Sequence, residues 1–263
     1  MTEKSLPAKT EVTNSKKLEK PRQQPTESLS GIVAVVISAI FIITFVFQAF
    51  EIPSRSMVKA LLVGDHVIVD RLTPGNGSRI LSLFMPYREV HRGDIVVFIS
   101  PVQPGLHVVK RVMAIPGDKI HLRDGVVYRN GEALNEPYVS HSGNSSSYAD
   151  NFPSVSPEFI GGAVYPAWPA EVSAHKQGED LVIPPDSYFG MGDNRDDSLD
   201  SRYWGFIPRR NIIGRPLVVY WSFDTPEDQY PRTAMNERAG FAFYVIVHFF
   251  DKTRWRRMFH MVR

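Results

Sequence analysis

The feature that most constrains this chain is a charge-free apolar stretch near its start. No residue between positions 28 and 50 is charged, and "GIVAVVISAIFIITFVFQAF" alone supplies about twenty residues, the length at which an α-helix crosses the hydrocarbon core of a bilayer. A cleavable targeting segment would have a shorter apolar region and would start nearer Met1. The alternative is a buried helix of a soluble domain. We therefore predict a single transmembrane helix over residues 29–50.

The segment before this stretch predicts both disorder and an orientation. Residues 1–28 are rich in Lys, Glu, Thr, Pro and Gln, and such a composition cannot bury enough apolar surface to order the chain. The predicted helix is preceded by four basic residues, Lys16, Lys17, Lys20 and Arg22. An excess of Lys and Arg favours the cytoplasmic side, so we expect a cytoplasmic tail and an extracytoplasmic body at a cell inner (plasma) membrane.

Composition excludes two other classes of site. The chain has no cysteine, which rules out disulfides and thiolate metal sites. Its net charge of +2 comes without a basic face interleaved with aromatic residues before the last dozen residues, so we expect no nucleic acid partner.

The rest of the chain is typical of a mainly β protein. Short runs of β-branched residues lie between Gly-Asp turns, namely "DHVIVDRL", "DIVVFIS", "LHVVKRVMAI", "GVVYRNGEAL" and "PLVVYWSFD". The Asn130-Gly131 pair is a strong hairpin signal. No long amphipathic helical pattern interrupts these runs. We predict antiparallel sheets over residues 51–224, with a Ser-, Pro- and Gly-rich insertion at about 140–178.

Two serines follow the apolar stretch directly, in "EIPSRSMV", and a serine needs a base to become a nucleophile. The histidines form no recognisable triad, and we expect His66, His107 and His121 to be structural. Lysine is the other candidate base, because burial in an apolar site can lower its pKa by several units. Lys110 lies among valines in "HVVKRVMAIPGD". Considered alone, this strand favours an ordinary lysine with an exposed head.

A third segment concentrates charge in a short loop, "YFGMGDNRDDSLDSRYWGFIP", at residues 188–208. A solvated turn would explain it, and so would a calcium loop. The segment lacks the full acidic spacing of a calcium-binding loop.

The three segments, in this order behind an apolar span, resemble bacterial type I signal peptidases. "IPSRSM", "KRVMAIPGD" and "GDNRDDSLDSRYWG" are similar to three of that family's signature segments, and the resemblance covers roughly residues 47–224. It implies a β-rich endopeptidase with a Ser-Lys dyad facing the outer leaflet of the lipid bilayer. Such an enzyme removes signal peptides from exported preproteins and needs no metal or cofactor.

The resemblance also implies roles for individual residues. Ser56 matches the nucleophile and Lys110 the general base. The Ser54 hydroxyl matches the group that, with the Ser56 backbone N–H, forms the oxyanion hole. Ser198 matches the residue that orients the lysine.

Two further sets of residues follow from the same resemblance. Asp193 with Arg111, and Asp200 with Arg202, match ion pairs that shape the site. Five residues match positions that form small apolar pockets and edge strands near the dyad: Ile52, Pro53, Met57, Leu61 and Val109. Such pockets suit small side chains on the residues that precede the scissile bond.

The chain departs from the family pattern at three places. Arg55 stands where Gly is usual, Lys59-Ala60 where Pro-Thr is usual, and Ala114 where Gly is usual. If the turn needed a positive φ, Arg55 would be excluded sterically. That leaves open a catalytically silent, membrane-tethered peptide-binding homologue. A self-cleaving Ser-Lys repressor is a second alternative, but its DNA-binding domain is missing. The oligomeric state stays open.

The C-terminal segment, residues 225–263, has two interpretations. "GFAFYVIVHFF" is eleven residues long, too short to span a bilayer. It is followed by a mixed aromatic and basic run: Lys252, Arg254, Trp255, Arg256 and Arg257. This pattern suits a membrane interface, and a core element of the domain explains it equally well.

Overall fold

The computed structural model describes residues 25–41, 46–71, 88–142, 146–155, 164–226 and 235–263. The chain divides into two units, residues 1–40 and residues 41–263. Helix α1 (Pro25–Phe41) has 17 residues. None of the helices in the described ranges is long and apolar enough to cross a membrane.

The ends of the predicted N-terminal segments differ from expectation. Residues 1–24 of the expected disordered tail lie outside the described residues, and residues 25–28 belong to α1. The predicted helix was expected to continue to Phe50. Instead Phe47–Glu51 form strand β1, because the same apolar residues also suit a strand, and here each of them pairs with a neighbouring strand.

The body is built mostly of strands. After β1 they are β2 (Asp65–Asp70), β3 (Ile95–Ile99), β4 (His107–Ala114), β5 (Lys119–Arg123), β6 (Val126–Arg129), β7 (Glu132–Ala133), β8 (Lys176–Gln177), β9 (Asp180–Val182), β10 (Ser187–Met191), β11 (Ile207–Pro208), β12 (Ile212–Ser222) and β13 (His260–Met261). The helices after α1 are α2 (Ser147–Asp150), α3 (Trp168–His175), α4 (Ser201–Trp204), α5 (Met235–Val247) and α6 (Phe249–Lys252).

These strands form two sheets in which every pairing is antiparallel. The larger sheet has the order β1-β2-β12-β3-β4-β10-β11, with β13 added to β12. The smaller has the order β7-β6-β5-β9-β8. Asn130 (φ 54°) and Gly131 (φ 84°) form the turn of the β6–β7 hairpin, because a two-residue hairpin turn favours left-handed conformations. The predicted mainly β, antiparallel fold is confirmed.

Three apolar clusters form the core, and the predicted insertion contributes to one of them. Tyr148, Phe152 and Trp168 pack with Phe189 of β10. Within residues 140–142, 146–155 and 164–178, the insertion therefore packs into the core of the body.

The C-terminal segment returns to the large sheet. Strand β13 pairs with β12, and two of the basic residues point inward. Arg254 donates to the Val63 carbonyl over 2.8 Å. Arg257 binds Asp65, whose side chain has no exposed surface, through two hydrogen bonds of 3.1 and 2.6 Å. This end of the chain thus holds the loop that follows Ser56.

We expect Arg257→Ala to unfold at a temperature roughly 10 °C below wild type, measured by thermal melting. The substitution leaves the buried Asp65 carboxylate without its cation, which costs about 3 kcal/mol. Arg256→Ala is the matched control, because Arg256 is exposed and surface substitutions change stability by less than about 0.5 kcal/mol. Equal melting temperatures for the two variants would contradict this account of the C-terminal segment.

Candidate active site

The turn that carries Ser56 follows β1 directly. Ser54 is extended (φ −135°, ψ 160°), and residues Arg55–Met57 form one turn of 3-10 helix. The Leu61 N–H closes the following turn on the Met57 carbonyl at 2.8 Å, and the Asn194 N–H donates to the Ser56 carbonyl at 3.0 Å. Ser56 is left only 8% exposed.

Lys110 reaches Ser56 from the middle of the sheet. It lies on β4, which pairs with β3 on one side and, from Arg111 onward, with β10 on the other. The side chain is 3% exposed, and its Nζ lies 2.7 Å from Ser56 Oγ. Burial of the ammonium lowers the pKa of Lys110 to about 8. A substantial fraction of the amine is then neutral at mildly alkaline pH and can accept a proton.

Lys110 is buried because backbone elements approach it closely. A Cβ added at Gly190 on β10 would lie 3.2 Å from Lys110 Cβ and 2.7 Å from Ile207 Cδ1. Strand alternation separates the neighbouring valines, with Val108 and Val112 in one apolar cluster and Val109 in another. The exposed-lysine interpretation is therefore wrong.

Two of the acidic residues near Lys110, Asp193 and Asp200, are paired with arginines. Burial by itself would raise the pKa of the Asp200 carboxyl, but Arg202 holds that pKa below its ordinary value. Arg202 binds Asp200 through hydrogen bonds of 2.9 Å from Nε and from Nη2. Arg111 also binds Asp193 in a bidentate manner, through hydrogen bonds of 2.8 and 2.7 Å. The two expected ion pairs are present, and this arginine pairing gives no support to the calcium interpretation.

Ser198 lies near Ser56, but its hydroxyl donates a hydrogen bond to a residue other than Lys110. Its hydroxyl donates to Asp200 Oδ2 at 3.0 Å, which leaves its oxygen lone pairs for another donor. Orientation of Lys110 by Ser198 stays a prediction. A Cβ at Gly192 would lie 2.3 Å from Ser198 Oγ and 2.6 Å from the Ser56 carbonyl oxygen. Gly192 is thus a site residue to which the sequence analysis assigned no role; its signal was its position at the start of "GDNRDDSLDSRYWG".

Most of the other predicted site residues lie near Ser56. Ser54 Oγ lies 3.3 Å from Ser56 Oγ. One apolar cluster beside the turn that carries Ser56 contains four of the five predicted pocket residues: Ile52, Met57, Leu61 and, at its edge, Val109. The fifth, Pro53, is exposed.

Arg55 does not strain the turn. It has a 3-10 conformation and an exposed side chain, so the steric objection to a residue other than glycine at this position disappears. The unusual backbone is at Lys59, with φ 83°, which a proline ring fixed near φ −65° cannot adopt. Lys59 Nζ donates to the Val139 carbonyl. The turn after Ser56 thus takes a path that excludes proline at position 59.

The three strand histidines have structural neighbours. The ring of His66 stacks on Trp221 with centroids 4.7 Å apart, and burial lowers its pKa. His121 Nδ1 lies 2.6 Å from Asp180 Oδ1, and His107 contacts Phe50. In the described part of the chain, the side chains within hydrogen-bonding distance of Ser56 Oγ are Lys110 and Ser54.

Replacing Lys110 tests the protonation state directly. A lysine titrates near 10.4 in an unfolded chain and at about 8 here. Below pH 8 the buried ammonium therefore costs about 3 kcal/mol, and this cost disappears as pH rises from 8 towards 10.4. We expect Lys110→Met to melt at the wild-type temperature or higher at pH 7, with an advantage that shrinks by pH 10. Exposed Lys119→Met is the control. A Lys110→Met protein that is clearly less stable at pH 7, with no dependence on pH, would contradict the prediction.

Comparison with known proteins identifies the family of the chain. Residues 26–221 match the family model described as signal peptidase, peptidase S26. The signal peptidase I of Aquifex aeolicus is 32% identical over 238 residues, covering 77% of this chain and 88% of that protein. The signal peptidase I of Pseudomonas aeruginosa is 31% identical over 226 residues, covering 80% and 78%. The chain belongs to the peptidase S26 family of signal peptidases and is a serine endopeptidase of the signal peptidase I type.

Proposed function

We propose that the chain is a membrane-anchored endopeptidase that removes signal peptides from exported preproteins with a Ser56–Lys110 dyad. The observation that carries the proposal is the 2.7 Å contact between Lys110 Nζ and Ser56 Oγ, in a site where burial lowers the pKa of the lysine to about 8. A nucleophile and a base in such contact are the parts that covalent acyl transfer needs.

Acylation follows from this geometry. Neutral Lys110 takes the proton from the Ser56 hydroxyl, and Ser56 Oγ attacks the carbonyl carbon of the scissile peptide bond. Negative charge then develops on the carbonyl oxygen, and in this proposal the Ser56 N–H and the Ser54 hydroxyl donate to it. The Lys110 ammonium gives its proton to the leaving amine, and the mature protein departs with a free amino terminus.

Deacylation uses Lys110 as the base again, with a water molecule as the nucleophile. After the amine has left, Lys110 is neutral again and takes a proton from a water molecule that attacks the Ser56 ester. The ammonium returns this proton to Ser56 Oγ as the signal peptide leaves with a free carboxylate.

Two open strand edges support binding of an extended peptide. Strand β1 is at the edge of the large sheet. Residues 107–110 of β4 pair with β3, while β10 joins β4 only from Arg111 onward. The rings of Phe50 and His107 are 5.1 Å apart, which brings the two edges together beside the dyad. A peptide added here would gain main-chain hydrogen bonds and direct alternate side chains into the apolar cluster.

A lipid surface is the second partner of this proposal. The apolar stretch that runs from residue 29 to the start of β1 would anchor the chain, and Ser56 follows β1 closely in sequence. Helix α5 would add an interfacial contact. Phe241 and Tyr244 pack against Phe223, which leaves outward-facing apolar side chains that are 69% and 73% exposed at Phe243 and Ile246. Apolar surface of this kind beside basic residues suits the membrane interface.

The dyad predicts the behaviour of three variants. Ser56→Ala and Lys110→Ala should each abolish cleavage of a full-length preprotein in detergent, and the double variant should be no worse, because the two groups act as one unit. Ser173→Ala is the control, since that exposed hydroxyl donates within its own helix to the Pro169 carbonyl. Substantial activity in either single variant would remove the dyad. An inactive wild type would instead favour the silent homologue.

The interfacial contact can be tested in proteoliposomes with the full chain, which has no cysteine of its own. A nitroxide at Ile246→Cys should collide more often with oxygen than with a water-soluble nickel complex, because oxygen concentrates in lipid. Val126→Cys, on the smaller sheet and 42% exposed, should show the aqueous pattern. An aqueous pattern at both positions would contradict the interfacial role of α5.

A further inference from the structure

We infer that Asn194 is the positioning residue of the oxyanion hole, a role that rests on the proposed Ser56–Lys110 function. The inference starts from the peptide unit that joins Arg55 to Ser56. This unit is planar and trans, so its carbonyl oxygen and its N–H point in opposite directions. The N–H is the proposed main-chain donor to the oxyanion. Whatever holds the Arg55 carbonyl therefore also sets the direction of the Ser56 N–H.

Among the described residues, two groups donate to the Arg55 carbonyl. One lies within the turn, where the Val58 N–H donates to it at 3.1 Å. The other is the side chain of Asn194, whose Nδ2 donates to it at 3.4 Å. The turn is a single three-residue 3-10 helix, a short element with poor hydrogen-bond geometry. A second donor from outside the turn therefore opposes rotation of the peptide unit.

Asn194 holds the next carbonyl as well. Its backbone N–H donates to the Ser56 carbonyl at 3.0 Å, so one residue binds the carbonyls of both Arg55 and Ser56. If the Arg55–Ser56 unit rotated by half a turn, a carbonyl oxygen would replace the N–H donor and would repel the negative charge of the transition state.

Asn194 is itself held firmly. It is 2% exposed, and its backbone forms a bridge with Ser140. The Ser142 hydroxyl donates to Asn194 Oδ1 at 3.3 Å. Because an amide has one acceptor end and one donor end, this contact directs the NH₂ group towards Arg55. The start of the insertion at residues 140–178 thereby acquires a role in the site.

The test compares Asn194→Ala with wild type in detergent, using the full chain. A donor that acts on the oxyanion stabilises the transition state more than the bound substrate. We expect kcat to fall about tenfold with KM unchanged, less than the ~10²–10³ for loss of a whole donor, because the Val58 N–H remains. The affinity for a peptide aldehyde, which adds to Ser56 as a transition-state analogue, should fall by the same factor. The pH midpoint of kcat should not move, since Lys110 is untouched.

Two further variants keep the result interpretable. Asn211→Ala is the matched control, because Asn211 Nδ2 also donates to a backbone carbonyl, that of Ile99, at 2.9 Å; its kcat should equal wild type. Asn194→Ser, whose hydroxyl is too short to reach Arg55, should reproduce the loss if Asn194→Ala does not fold. An unchanged kcat in the Asn194 variants would overturn the inference, and so would a loss of kcat without loss of aldehyde affinity. A wild type that neither cleaves preprotein nor binds the aldehyde would remove the proposed function itself, and the inference with it.

Discussion

The site depends on one unfavourable interaction, the burial of the Lys110 amine beside Ser56. Desolvation makes the charged form costly and lowers the pKa of Lys110 to about 8, but a free carboxylate nearby would restore the charge. Asp200 is the largest opposing influence, and Arg202 binds it with two hydrogen bonds. Asp193 is bound by Arg111 in the same way. The arginines thus allow acidic residues to shape the loop without protonating the base.

The second constraint is the position of Ser56, which is set by parts of the chain far away in sequence. Asn194 donates to the carbonyls on either side of the Ser56 N–H. Arg257 donates to the Ala60 carbonyl at 3.1 Å and binds Asp65, 192 residues earlier. Both ends of the nucleophile turn are therefore fixed by side chains from other elements. A short turn held in this way keeps its donors aligned before the substrate arrives, which is what electrostatic preorganisation requires.

The fold class could be predicted from local patterns, because β-branched runs and the Asn130-Gly131 turn determine strands with little help from distant residues. Strand β1 could not be predicted from its local pattern, because an apolar run suits a buried strand and a membrane helix equally well. The paired motifs identified Ser56 and Lys110 as candidates. Burial of Lys110 depends on the close approach of Gly190. Asn194 and Arg257 act through long-range contacts that no local pattern predicts.

The protonation of Lys110 tests the account most directly. The full chain, labelled with ¹⁵N at lysine Nζ and held in detergent, can be titrated by NMR, with Lys110→Met identifying the resonance. We predict that this amine titrates near pH 8. A Lys110 amine that titrates near 10.4, the value of an unperturbed lysine, would contradict it, because the amine would then be charged at working pH and could not accept the proton of Ser56.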